Sequence, residues 1–267
     1  MHEARAEVAR ETDGEFSLDL WLGGRLTLAQ PKSGHRVGSD AALLAAALDL
    51  AEGRIVDAGA GVGAVGLALA HRSEGVRIDF IEIDPALARF AADNAARNGL
   101  ERRTRTLRLD LLDARARREA GINDRSADAV VANPPFYEMG SVRVSPDPDR
   151  ARAHVHAEAQ AAGDPLVKWI HACLAILKPG GRFAMIHRPE ALPTIFEAAE
   201  NRLGAIALLP VHPRRGASAH RLLVSGVKGS KAPLRIAPPL VLHGADGRFT
   251  PKADAIHRGE ALIDWGA

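Results

Sequence analysis

Asn133, Pro134, Pro135 and Phe136 close the apolar run VVANPPFYEMG (130–140) with residue types that cannot continue a buried strand. Adjacent prolines donate no backbone hydrogen bond and hold the chain extended, so the corner is rigid. It offers the Asn133 side-chain oxygen and the Pro134 carbonyl as acceptors beside an aromatic ring, a set suited to a flat group that donates hydrogen bonds. An exocyclic amine on a heteroaromatic ring is a poor nucleophile because its lone pair is delocalised. Two acceptors aimed at its hydrogens favour a more tetrahedral nitrogen and stabilise its developing positive charge. Phe136 supplies a stacking surface, and Tyr137 opens a substrate-facing loop.

A second constellation lies upstream. VDAGAGVGAVG (56–66) follows an apolar strand pattern, and Gly59, Gly61 and Gly63 permit a tight turn and close approach of a ligand to the backbone. Some twenty residues on, the next strand ends in Glu82, placed to accept both hydroxyls of a ribose. The dinucleotide pattern G-x-G-x-x-G does not fit, because a start at Gly61 puts Val65 at its last position. Asp57 discriminates further: a carboxylate here repels a pyrophosphate but helps to hold a cationic ligand, directly or through water. Together these residues indicate a nucleoside cofactor rather than a bare turn.

The elements that must position these groups read as repeated strand and helix from Arg54 onward: RIVDAG, RIDFIEI, TRTLRLDLL, ADAVVANPP and RFAMIHRP are strands separated by helical patterns. Short continuous apolar strands alternating with helices predict a mostly parallel sheet covered on both faces. AIALLPVHP and HRLLVSGVKG, joined without a helix, are expected to pair antiparallel at one edge. FSLDLWLGGRLTLAQ predicts a hairpin around Gly23-Gly24, and SDAALLAAALDL a helix. The stretch 138–163 is too long for an ordinary connection and reads as a partly mobile loop. The tail from Pro238 reads as a hairpin and a helix. The expected division is 1–50 as a tail, hairpin and helix over the cofactor site, 51–230 as the catalytic domain, and 231–267 packed back on it.

The 267 residues are 46% hydrophobic, 25% charged and 4% aromatic, which excludes extensive disorder. A formal charge of +2 does not by itself imply nucleic acid, although all but six of the 35 Lys and Arg residues are arginine. The single Cys173 excludes an internal disulfide, reads as core packing and fits a reducing cytoplasm. No signal or membrane-spanning pattern is present. His154-x-His156 has no third ligand at convincing spacing, so no metal is expected. No G-x-S-x-G nucleophile elbow occurs.

From Arg54 to Gly226 the chain resembles the class I S-adenosylmethionine-dependent methyltransferases. The resemblance implies a Rossmann-like, seven-stranded, mostly parallel sheet with helices on both faces and an antiparallel edge strand. It also implies Gly59, Ala60, Gly61 and Gly63 beneath the methionine part of the cofactor and Glu82 on its ribose. Asp110 would meet the adenine amine, with Ile83, Leu111 and Asn133 completing the contact. Asp110 serves equally well as a helix cap. NPPF in this position is similar to the motif of amino-nitrogen methyltransferases acting on adenine, on cytosine or guanine amines in RNA, or on a glutamine amide in release factors.

GGRLTLAQPKSGHRVGSDAALLAAAL (23–48) resembles the leading segment of bacterial tRNA adenine N6-methyltransferases that modify valine tRNA beside the anticodon, matching at Gln30, Lys32, Gly34, Arg36, Gly38 and Asp40. Ser39 and Asp40 would then approach the cofactor opposite Glu82, while Lys32, His35 and Arg36 would meet phosphate. Asp40 as a plain helix cap and a solvated basic trio are the alternatives. Arg214 and Arg215, in HPRRGASAHRLL, are candidates with Lys228 and Lys231 for a second basic patch, with plain solvent exposure in an inter-strand loop as the alternative. A bound anticodon loop presents unstacked bases, so no duplex need open. The competing readings are a release-factor glutamine methyltransferase, a methyltransferase for another RNA or a small molecule, and a noncatalytic RNA-binding module.

Overall fold

The computed structural model describes residues 16–33, 36–134 and 164–266. Two strands, β1 (Phe16–Trp21) and β2 (Leu26–Pro31), form the expected antiparallel hairpin, turning through Gly23 and Gly24 at φ of 65° and 86°. Helix α1 (Ser39–Ala46) follows, with Ala41 through Ala46 all buried. The alternating part runs β3 (Glu52–Ala58), α2 (Ala64–Arg72), β4 (Gly75–Glu82), α3 (Pro85–Arg97), β5 (Thr104–Arg108), α4 (Ala114–Glu119) and β6 (Ala127–Ala132). After the undescribed stretch come α5 (Pro165–Ile176), β7 (Leu177–His187), α6 (Leu192–Ala199), β8 (Leu203–Arg214) and β9 (Arg221–Lys228). Strands β10 (Arg235–Ile236) and β11 (Leu240–His243) and helix α7 (Pro251–His257) complete the order.

The helix starts are chemically marked. Asp84, Asp113 and Asp164 each accept backbone N–H groups at the heads of α3, α4 and α5, and Pro85 and Pro165 occupy the first helical position, where no donor is needed. Asp113 therefore caps the helix for which Asp110 was the sequence candidate.

The main sheet has nine strands in the order β10-β8-β9-β7-β6-β3-β4-β5, with β11 also on β8. Two expectations need correction. Strand β9 is antiparallel to both β7 and β8, so the antiparallel strand is internal rather than at the edge. The long β8 would leave an open ladder, and the tail covers it: β10 pairs at Ala207–Leu208 and β11 at Val211–Arg214, both parallel. Those two short strands raise the count from seven to nine and protect an edge that would otherwise template association. The tail hairpin is reduced to a tight turn after β11, closed by one bridge between His243 and Phe249.

Alternation within the apolar runs divides the core between two faces. Ile55, Ala129 and Val131 join a cluster with Leu43, Leu44, Leu67 and Phe80 beneath α1, α2 and α7; Val56, Val130 and Ala132 join Ile170, Cys173 and Phe183 beneath α5. Cys173 is fully buried and burial pushes its thiol up to about 12, so it is an inert packing residue.

The hairpin docks by an unusual ladder. Asn94 on α3 and Asn98 at its C-terminal cap treat β2 as a strand partner. The Asn94 amide accepts from Ala29 N–H (2.7 Å) and donates to Ala29 C=O (2.9 Å), and Asn98 repeats the exchange with Thr27. One helical turn of ~5.4 Å nearly matches two strand residues of ~6.8 Å, so alternate residues of β2 meet consecutive helix turns. Asn94 also donates to Val62 C=O (3.0 Å), tying the hairpin to the glycine loop.

Candidate cofactor and amine site

Strand order reverses around β3, whose neighbours are β4 and β6, and in parallel sheets ligands bind beyond the carboxyl ends at such a point. Register places the two sequence motifs side by side there. Ala58 pairs with Ala132, so Gly59 and Asn133 are the next residues out on adjacent strands. Asn133 is partly exposed and Pro134 is buried. Pro135, Phe136, Tyr137, His35, His154, His156 and the 138–163 loop lie outside the described residues.

Gly59, Gly61 and Gly63 all have positive φ, at 72°, 56° and 85°. A Cβ on Gly59 would stand 2.9 Å from the Trp169 ring, and one on Gly63 3.2 Å from Ala91, whereas one on Gly61 would meet nothing within 4 Å. The loop is thus supported from beneath at both ends and open at its middle. Glu82 is buried at the end of β4. Its carboxylate accepts from Gly61 N–H (2.8 Å) and Asp84 N–H (2.9 Å), which fixes its orientation and leaves further lone pairs on both oxygens for a diol. An open glycine cradle beside an oriented, still acceptor-rich carboxylate fits the nucleoside and amino-acid parts of S-adenosylmethionine.

Asp57 lies beneath the loop. Its carboxylate accepts from Gly66 N–H in the first turns of α2 (2.9 Å), and burial, opposed by that bond and reinforced by the Glu82 charge, pushes it up to about 7. A Cβ on Gly66 would approach Phe80 to 2.4 Å, so this fourth glycine is needed for close packing of helix on strand. Beyond Glu82, Ile83 is 63% exposed; beyond Asp110, Leu112 is 42% exposed, giving two apolar side chains at the ends of adjacent strands. Asp110 is exposed and its Oδ1 accepts from Leu112 N–H, shaping that turn. Leu111 puts its side chain in the core, so it offers a ligand only main-chain groups.

Ser39 and Asp40 are engaged elsewhere. Asp40 pairs with Arg221 Nε at 2.7 Å, and Ser39 Oγ bonds His257 Nε2 at 2.9 Å, fastening the start of α1 to β9 and α7. Asp40 does not cap α1 either: Gly38 holds that position without a side-chain bond. Arg36 spans Asp19 (2.8 Å) and Ser17 (3.0 Å) on the hairpin, and buried Gln30 bonds Asp19 and the Val37 N–H, so these residues shape the connection to α1. Lys32 is exposed. Arg214 and Arg215 are exposed at the carboxyl end of β8, but Lys228 and Lys231 stand at the opposite end of β9, with Lys228 donating to the Leu174 and Leu177 carbonyls. The expected patch is therefore divided.

Sequence reasoning missed Trp169, whose ring supports Gly59 and whose buried Nε1–H has no acceptor among the described residues. It also missed the Asn94 link to the loop, for which Asn94 and Asn98 at helical spacing were the available signal. Among the described residues no cluster of three His, Cys, Asp or Glu is placed to hold a metal ion, and no helix is long and apolar enough to cross a membrane.

Residues 32–145 match the family model of the Methyltransferase small domain. A tRNA1(Val) (adenine(37)-N6)-methyltransferase of Porphyromonas gingivalis is 31% identical over 246 residues, spanning 88% of this chain and 91% of the relative. The chain belongs to this methyltransferase family. The enzyme also superimposes on the crystal structure of a predicted O-methyltransferase from Agrobacterium tumefaciens, with a TM-score of 0.67, 32% identity, and coverage of 84% of this chain and 98% of that one. The 16S rRNA N2 G1207 methyltransferase of T. thermophilus, solved with AdoMet and guanosine, shares the fold at a TM-score of 0.55 and 22% identity, over 80% of this chain and 50% of that one. The enzyme is an S-adenosylmethionine-dependent methyltransferase of the class I α/β fold.

Proposed function

We propose that the enzyme methylates the N6 amine of an adenosine in tRNA beside the anticodon. The observation that carries this reading is the register that sets Asn133 next to Gly59, bringing the acceptor corner to the open cofactor loop. The family relatives bear the name of that reaction.

S-adenosylmethionine supplies a methyl group on a sulfonium that is already a good leaving group. The protein's task is to orient the nucleophile about 3–3.5 Å from that methyl. Glu82 would hold the ribose, Gly59, Ala60, Gly61 and Gly63 would lie under the methionine part, and Asp110 with Ile83, Leu112 and the Leu111 main chain would border the adenine. Asn133 Oδ1 and the Pro134 carbonyl would accept hydrogen bonds from the two amine hydrogens; the stiffening and stacking roles read for Pro135 and Phe136 fall outside the described residues. The methylated nitrogen becomes acidic and loses its proton to water, so no general base is assigned. An acceptor pair matches an amine with two hydrogens better than a hydroxyl with one, which favours nitrogen over oxygen as the nucleophile.

Ser39, Asp40 and Arg36 act indirectly by fixing the connection between the hairpin and α1, and exposed Lys32 is available to substrate; the roles read for His35 and Tyr137 fall outside the described residues. In this reading the described part of residues 1–50 is a cover for the site, 51–230 the methyltransferase domain, and the described tail from 231 an addition packed on it. A reducing cytoplasm suits the single buried thiol. Mass spectrometry of tRNA nucleosides from cells with and without the protein should show N6-methyladenosine only in its presence. Asn133→Ala should keep S-adenosylmethionine affinity within about twofold while turnover falls by about 100-fold or more, the scale of losing one transition-state hydrogen bond; unchanged turnover rules the clamp out.

A further inference from the structure

The carboxyl end of the sheet holds more than the acceptor corner. Beyond β6 the strands follow in the order β7, β9, β8, β11, and their directions bring one basic group after another to this end. Arg188 directly follows the end of β7, and His187 pairs with Leu222, next to Arg221 at the start of β9. Val211 pairs with Arg221, and β8 continues three residues further to Arg214, which pairs with His243 of β11. Arg215 follows, and the turn after β11 adds Arg248, whose carbonyl accepts from Gly244 N–H. His187 feels the row directly: burial holds it below its ordinary value, and the charges of Arg188 and Arg221 push the same way against the Arg188 backbone bond and the Glu190 charge.

Among the described residues, few acids oppose these charges. Asp40 pairs with Arg221, Asp246 bonds the Arg248 N–H, and Glu190 follows Arg188 in a short helical turn. Arg214, Arg215 and Arg248 are exposed, and each stands outside every ion pair among the described residues. At the amino end of the strands the arrangement is different. Arg54 and Arg105 share Asp79, and Lys178 pairs with Asp128, so much of the charge there is internally matched.

We propose that this row is a track for the single-stranded RNA flanking the target nucleoside, leading from the Asn133 corner across β7, β9 and β8 to β11, with Arg214, Arg215 and Arg248 on successive phosphates. The proposal rests on the RNA reading above and adds where the strand runs. Four strand spacings separate β6 from β11, roughly 19 Å, and β8 rises about 10 Å beyond the level of Val211, so the track slopes outward from the site. Phosphate contacts of this kind fix register and orientation while the acceptor corner reads the base.

The test uses the full chain and a fluorescent anticodon stem-loop RNA, with Kd measured against KCl concentration. Each phosphate contact on a single strand contributes about 0.7 to the slope of log K against log salt. The triple variant Arg214→Gln/Arg215→Gln/Arg248→Gln should therefore flatten the slope by about 2, and Arg248→Gln alone by about 0.7. Arg77→Gln/Lys231→Gln, on exposed residues at the amino end, should leave it unchanged. S-adenosylmethionine affinity, measured separately, checks that each variant is folded. A steep wild-type slope that persists in the triple variant overturns the track and leaves the RNA reading standing. A wild-type protein that binds S-adenosylmethionine but no RNA overturns both.

Discussion

Asp57 shows how one side chain serves the site through its surroundings. It is a carboxylate in the sequence, yet its environment holds it near 7 rather than at its ordinary 3.8. An acid whose folded value is raised binds its proton more tightly when folded, so its contribution to stability is fully present at low pH and is lost as pH rises from about 4 to 7. The full shift corresponds to a few kcal/mol, on the order of 4. Asp57→Asn keeps an acceptor for Gly66 N–H and removes the titration, so the fall in Tm between pH 5 and pH 8 should be smaller in the variant than in the wild type. His187 titrates in both proteins and cancels in the comparison. Equal pH dependence would mean that Asp57 is solvated. The identities of Asp57, Gly59, Glu82 and Asn133 as a group were legible because their types and spacing are chemically restrictive. The partners of Asp40 and Arg36 were not, because Arg221 lies 181 residues from Asp40 and nothing local foretells the pairing.

The helix–strand ladder between α3 and β2 carries the next prediction. Asn94 is fully buried and satisfies three main-chain groups: Ala29 N–H, Ala29 C=O and Val62 C=O. Asn94→Ala leaves all three without a protein partner. At about 1 kcal/mol for each bond, the loss of stability should be about 3 kcal/mol, read as a lower denaturant midpoint. S-adenosylmethionine affinity should fall as well, because Val62 belongs to the cofactor loop; a variant that loses stability alone would show the loop to be independent of the hairpin. Elements of this kind divide sharply in what sequence conveys. The strands from β3 to β7 were readable from continuous apolar runs bounded by turns, whereas the caps were misplaced: Asp40 and Asp110 were the candidates, and the structure uses Asp84, Asp113 and Asp164. Strands β10 and β11, two and four residues long, exist only because β8 presents an open edge, and no periodicity can announce them.

Across the whole molecule, the tail closes the fold over its beginning. Ile263 N–H donates to Ala46 C=O, Trp265 Nε1–H to Ala47 C=O, and His257 bonds Ser39, so residues 251–266 hold both ends of α1. Trp265→Ala removes one of these bonds and a half-buried ring, a loss of about 2–3 kcal/mol by the scale of exchanging a large aromatic for alanine at a partly exposed position. Hydrogen exchange should accelerate in the amides of α1 while those of β4 stay protected; uniform acceleration would mean that the tail stabilises the fold globally rather than this helix. The placement of the tail was the least legible part, since the contacts that seat it on β8 and α1 are long-range and its short apolar stretches fit a hairpin equally well.

That closure also sets an order of events during synthesis. Strands β3 to β9 can pair while the ribosome is still adding residues, and the glycine loop and the acceptor corner are present from the time β6 has emerged. Helix α1 has the Asp40–Arg221 pair and its core contacts by then, but it lacks the bonds of the tail to both of its ends until His257, Ile263 and Trp265 have left the exit tunnel. Competence should therefore arrive with the last stretch of the described chain. Nascent chains stalled at residue 245 should bind S-adenosylmethionine far more weakly than released protein, a difference that ribosome-bound complexes can report directly.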